Sequence, residues 1–175
     1  METYPDSALM LLKEIEKSEL HSKKDQARYA LLLSMALDKN FIDTTNFDVL
    51  QPAIDYYLKK GNANEKLRTY YYQGRIFQNQ KDMDNALNSF IKAIDVSPDS
   101  NDSLCIARTL VAQGGLYDEF FDFKSYTNCH LRAAEIYKNL SIRWNEFDCL
   151  LNALNGAIAS ENKTTADSIL SLCNK

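Results

Sequence analysis

Displaced by 40 residues, the chain meets itself at its smallest side chains, because Ser34, Gly74 and Gly114 coincide. A second series, Ala53, Ala93, Ala133 and Cys173, keeps the same interval, and Arg28, Arg68 and Arg108 make a third. Self-similarity at a fixed interval of about 20–50 residues marks a repeat array, in which each block buries its apolar face only against its neighbours. The small-residue series breaks at Leu154, which has Ala153 beside it. The last block therefore slips by one residue or packs more loosely. The phase divides the chain into units at 27–66, 67–106 and 107–146, an incomplete unit at 147–175, and a leading segment at 1–26.

The second unit shows what one block contains. Tyr70, Gln73, Gly74 and Phe77 stand at i, i+3, i+4 and i+7, one face of a helix with 3.6 residues per turn. After "QNQKDMD", Ala86, Phe90, Ala93 and Ile94 repeat the spacing and predict a second helix that stops near Ser97 and Pro98. Only five glycines and three prolines punctuate the 175 residues, which favours helix throughout. The expected class is all-α, as one continuous domain of stacked helix pairs. "PDSALMLLKEIEKSEL" at 5–20 reads as a lone helix with Pro5 in its first turn and Ala8, Leu11, Leu12 and Ile15 on one face. The extra length of unit one is expected in "NFIDTTNF" at 40–47.

Tyr70, Gln73-Gly74, Phe77, Ala86, Phe90, Ala93 and Pro98 together resemble the tetratricopeptide repeat (TPR) signature. Unit one follows it with Ala30, Leu33-Ser34, Leu37, Leu50 and Ala53. Unit three has Leu110, Gln113-Gly114, Tyr117 and Ala133, but His130 where an aromatic is usual. Unit four keeps Leu150, Ala157, Ala166, Leu170 and Cys173. The resemblance implies a right-handed α-solenoid of antiparallel helix hairpins, with first helices on the concave side, and a non-catalytic protein- or peptide-binding scaffold. More narrowly, the sequence is similar to the TPR portion of bacterial envelope-anchored or regulatory proteins. That implies a fragment of a larger scaffold or sensor in the cell envelope, with a lipid-modified or membrane-spanning segment elsewhere. A self-association segment, or a sensory domain that binds a signalling peptide and is coupled to a DNA-binding output, are the alternatives.

Glycine inside a helix costs about 1 kcal/mol relative to alanine. Gly74, and its counterparts Ser34 and Gly114, are therefore expected where two helix axes approach most closely. With Tyr70 and Phe77 on that face, Tyr71 and Tyr72 fall about 100° and 200° away. They and Arg28, Arg68, Arg75 and Arg108 are the candidates to line a groove. Arginine would fork onto carboxylates of an acidic partner and tyrosine would supply rigid contact area. The competing reading pairs each arginine with an acid on an adjacent helix.

Other chemistries find little footing. A net charge of −4 without a concentrated basic face argues against a nucleic-acid partner, and "YALLLSMAL" falls far short of the roughly 20 residues a bilayer demands. Cys105, Cys129, Cys149 and Cys173 lack paired metal-ligand spacing, so no metal or other cofactor is expected and buried thiols are the reading. Neighbouring helix residues point about 100° apart, so Cys129 and His130 make a poor nucleophile and base. Phe120, Phe121 and Phe123 are expected to fill the wedge between hairpins, with an exposed patch as the alternative. Trp144 is expected to pack on the preceding hairpin. Compartment and oligomeric state stay open.

Overall fold

The computed structural model describes residues 4–173, and these contain nine α-helices and no strand. They are α1 (Pro5–Glu14), α2 (Lys23–Lys39), α3 (Gln51–Lys60), α4 (Ala63–Asn79), α5 (Met83–Asp95), α6 (Ser103–Glu119), α7 (Phe123–Asn139), α8 (Arg143–Ala159) and α9 (Lys163–Cys173). Single 3-10 turns lie at Lys17–Glu19 and Ser97–Asp99. The protein is all-α and repeat-like. It divides into two compact units, one ending at Ser100 and one beginning at Asn101.

The repeat is metric. The helices α2, α4, α6 and α8 each span 17 residues and begin at residues 23, 63, 103 and 143. Each ends in a residue with left-handed backbone, Phe41 (φ 55°), Lys81 (64°), Phe121 (57°) and Glu161 (55°), again 40 apart. At every such corner the following N–H closes the helix by donating to a carbonyl five residues back: Ile42 to Leu37, Asp82 to Phe77, Asp122 to Tyr117 and Asn162 to Ala157, at 2.8–3.0 Å. Asp82, Asp122 and Asn162 then open the next helix, because their side chains accept the N–H of Asn85, Ser125 and Thr165. One residue thus ends one helix and starts another, giving three-residue turns. Ile42 has no such side chain, and there an irregular segment runs to Leu50 before α3 begins. The added length of the first repeat therefore lies where the sequence placed it.

In the first unit, α4 packs against α2, α3 and α5. A β-carbon on Gly74 would lie 2.5 Å from the ring of Phe90, which is fully buried on α5. The glycine therefore serves a close helix approach rather than an unusual backbone angle, and the packing of Phe90 offsets its propensity cost. Ser34 is buried on α2, its hydroxyl donating to the Ala30 carbonyl. The described part of the leading segment forms α1, the short 3-10 turn and the first turn of α2. Its buried face is Leu9 and Leu12, packed with Tyr29, Leu32, Leu33, Ala36 and Leu37 of α2, whereas Leu11 and Ile15 are exposed. The helix ends before Ile15, so the face that continues Pro5 and Ala8, namely Leu9 and Leu12, is the one covered.

In the second unit, α7 lies against both α6 and α8. Gly114 on α6 faces His130 of α7, with Nε2 2.9 Å from where a β-carbon would stand. In α8 the smallest residue moves. Ala153 is fully buried and Leu154 half-buried, and Gly156 makes the tight approach, with Thr127 Oγ1 and the Tyr126 ring 2.5 Å from its absent β-carbon. Those two residues belong to α7, so α8 presses most closely on the preceding helix. Its packing on the shorter α9 is less extensive.

Candidate functional site

The six groove candidates do not form one surface. Tyr71 and Tyr72 are buried, with 7% and 5% of their surface exposed, which corrects their outward assignment. A helix with neighbours on two sides buries an arc wider than one face. Tyr71 points to the ring of Phe90 on α5, 6.0 Å between centroids, and Tyr72 meets Tyr71 edge-on at 4.9 Å. Tyr72 also lines a small recess with Ser34 and Asp38 of α2. Tyr70 and Phe77 are only half-buried, Phe77 meeting Phe47 of the irregular segment at 4.9 Å.

Arg75 is engaged within the first unit. Its Nε donates to Asp38 Oδ1 of α2 at 3.1 Å and its terminal nitrogen to Gln78 Oε1 at 3.0 Å. This half-buried pair joins α2 to α4. Two amides of the α4 C-terminus extend the link, Asn79 donating to the Thr44 carbonyl and Gln80 to that of Thr45.

Arg28, Arg68 and Arg108 are the sixth residues of α2, α4 and α6. Arg28 is exposed, and Arg68 and Arg108 are half-buried. Burial pushes the Tyr57 phenol of α3 up in pKa, and the Arg28 charge opposes that push. In the second unit burial takes the Tyr137 phenol up to about 12, and Arg108 opposes it likewise. Tyr57 and Tyr137 each lie 29 residues beyond their arginine. The same cation therefore reaches a buried phenol on the partner helix in both units. The sixth residue of α8 is Asp148, which reverses the sign of the series.

His130 fills the place that Phe90 holds one repeat earlier. It is 3% exposed, stands edge-on to Tyr126 at 4.5 Å, and its Nδ1 has no hydrogen-bond partner. Burial holds its pKa below the ordinary value, partly offset by Asp148 and Asp118. An imidazole with a lowered folded pKa binds its proton more readily in the unfolded chain, so stability falls as pH drops through the unfolded value near 6.5. Thermal unfolding of the wild type and His130→Phe between pH 7.5 and 5 tests this. The variant, which keeps a ring at the site, should lose less stability on acidification than the wild type, and parallel curves would refute the assignment.

Cys105, Cys129 and Cys149 are buried thiols. Desolvation raises the Cys129 thiol to about 11 and that of Cys149 to about 12, which removes thiolate character at neutral pH. The Cys173 side chain lies outside the described ones. Among the described residues no group of three His, Cys, Asp or Glu side chains could hold a metal ion, and no helix is long and apolar enough to cross a membrane.

Two aromatic assignments are corrected. Trp144 is exposed at the start of α8 because Cys149, Leu150 and Ala153 supply the buried arc instead. Phe121, at the left-handed corner, is exposed together with Phe120, so these two rings form an exposed patch and not the wedge, while Phe123 is half-buried and meets Phe121 edge-on at 6.2 Å. A two-residue signal for Gly156 was present in the sequence, a glycine one half-turn beyond the expected phase. The helix caps Asn62, Asp82, Asp102, Asp122 and Asn162 stand at multiples of 20 residues, broken only by Ile142 within that run, and make a second signal in the sequence. No protein-family model matches the chain, and no curated protein matches it.

Proposed function

We propose that the chain is a non-catalytic scaffold of the tetratricopeptide type that binds an acidic peptide or protein segment. In this reading its helix pairs are antiparallel hairpins, Arg28 and Arg68 are contact residues of the first unit, and Arg108 is their counterpart in the second. The observation that supports it is the recurrence of Arg28, Arg68 and Arg108 at the same turn of three equal helices. Within the first unit α2 and α4 touch, so Arg28 and Arg68 are presented from corresponding turns of adjacent helices. Guanidinium groups so arranged suit a row of carboxylates along an extended chain. Arg75, bound by Asp38 and Gln78, ties α2 to α4 beside them. The wider reading, a piece of an envelope-anchored or regulatory bacterial protein, rests on the resemblance of the "YYYQGRIFQNQKDMDNAL" unit alone.

Titration against a peptide array graded from acidic to basic tests the reading. The wild type should bind the acidic members, and joint Arg68→Glu and Arg108→Glu should weaken that binding about tenfold or more, about 1.4 kcal/mol, while helicity by circular dichroism is kept. Equal affinity for acidic and basic peptides, or an unaffected double variant, would count against it.

A further inference from the structure

Along α8 a second apolar face lies uncovered, distinct from the arc that packs on α7. Trp144 is 79% exposed, Phe147 50%, Leu151 45% and Ile158 62%, with half-buried Leu154 between them. The positions are spaced 3, 4, 3 and 4. That is the seam by which one helix lies along another, since alternating steps of three and four keep side chains on a single narrow stripe. We propose that this stripe is a self-association surface, on which α8 pairs antiparallel with α8 of a second copy about a two-fold axis at Leu151.

Shape and charge on the stripe select this occupant. The bulky residues, Trp144 and Phe147, stand at its N-terminal end and the aliphatic ones, Leu154 and Ile158, at the other. Antiparallel pairing about that axis sets Trp144 on Ile158 and Leu151 on itself, and brings Phe147 level with Asn155 beside Leu154, large against small at both ends. A parallel pair would stack tryptophan on tryptophan and phenylalanine on phenylalanine, and leave the far end thin. Every residue from Cys149 to Ala159 is uncharged, and the charges of α8, Arg143, Glu146 and Asp148, all lie in its N-terminal part. Antiparallel pairing therefore places each charged end over an uncharged one, so no like charges meet, and it also opposes the helix dipoles.

The exposed side chains amount to on the order of 500 Å² per copy, the size at which apolar patches on monomers become functional. Two copies would cover on the order of 1,000 Å², the lower end for a specific interface, which predicts a weak, concentration-dependent dimer. The stripe lies away from the arc through Gly156 that carries α8 onto α7. This inference is independent of the arginine series, which lies on other helices.

Sedimentation of the full chain over a dilution series tests the proposal, with emission of the single tryptophan as a second readout. A monomer–dimer equilibrium is expected in the micromolar range, with Trp144 emission moving to shorter wavelength as dimer forms. Leu151→Glu should weaken association at least about a hundredfold with circular dichroism unchanged, since the residue is exposed in the monomer. Orientation is read from Trp144→Glu and Ile158→Lys, each of which should abolish the dimer, and from the double variant, which should regain it through Glu–Lys contacts at both ends. A monomer at every concentration with unshifted emission, or a Leu151→Glu variant that associates as the wild type does, overturns the proposal. A double variant that stays monomeric overturns the antiparallel arrangement. None of these substitutions should alter acidic-peptide binding, so a failure here leaves the arginine reading standing and the converse also holds.

Discussion

Phe90→Ala is expected to destabilise the first unit by about 3–5 kcal/mol, the range for deleting a fully buried aromatic ring. The ring is completely inaccessible and touches Gly74 and Tyr71 on α4. Its removal leaves a cavity between two rigid helices that cannot collapse, because α4 is also held by α2 through Arg75 and Asp38. For a unit of this size such a loss is a large part of the total stability. Chemical denaturation followed by circular dichroism should show a clearly earlier transition, and a shift below about 1 kcal/mol would mean that Phe90 is not the centre of this packing.

Gly74→Ala should destabilise by about 1–3 kcal/mol, against the helix-propensity gain of about 1 kcal/mol that alanine brings to an open site. The added methyl would lie 2.5 Å from a ring atom of Phe90, and a fully buried ring has nowhere to move. Gly115 provides the control in the same measurement. No atom lies within 4 Å of its would-be β-carbon, so Gly115→Ala should stabilise. The two principal substitutions share one contact and should not add. In a Phe90→Ala background the Gly74 methyl enters the vacated space, and Gly74→Ala should become neutral or favourable there. Additive losses would separate the glycine from the ring and contradict the close-approach account.

The legible part of the fold was its interval. Gly74 and Gly114 are small because a ring of the following helix presses on each, and Ser34 is buried in the same phase, so the sequence carries the repeat in its spacing. The helix class followed from the spacing of Phe90, Ala93 and Ile94. Tyr71 and Tyr72 were misplaced because periodicity assigns a single covered face, whereas α4 has neighbours on both sides and buries consecutive residues. Leu11 and Ile15 were misplaced because α1 stops a residue too soon to present Ile15. Trp144 misled in another way. A large aromatic is ordinarily taken as core, and only the identity of its neighbours, Cys149, Ala153 and Gly156, reveals that small residues carry the burial in α8 and leave the rings outside. Of the surface candidates, Arg75 answered to Asp38, a partner 37 residues away that no local pattern could designate.

The left-handed corners fix where this chain can change length. A residue inserted into a three-residue turn would have to displace either the N–H that closes one helix or the carboxylate that opens the next, and one inserted into a 17-residue helix would rotate everything beyond it by about 100°. The stretch from residue 43 to 50 lies beyond the Ile42 N–H that closes α2, and with an isoleucine in place of a capping acid it carries neither obligation. Loop grafts, tags and evolutionary indels should therefore be accepted between Asp43 and Leu50 and rejected at Phe41, Lys81 or Phe121, so the first repeat is the natural place for changes of length to accumulate.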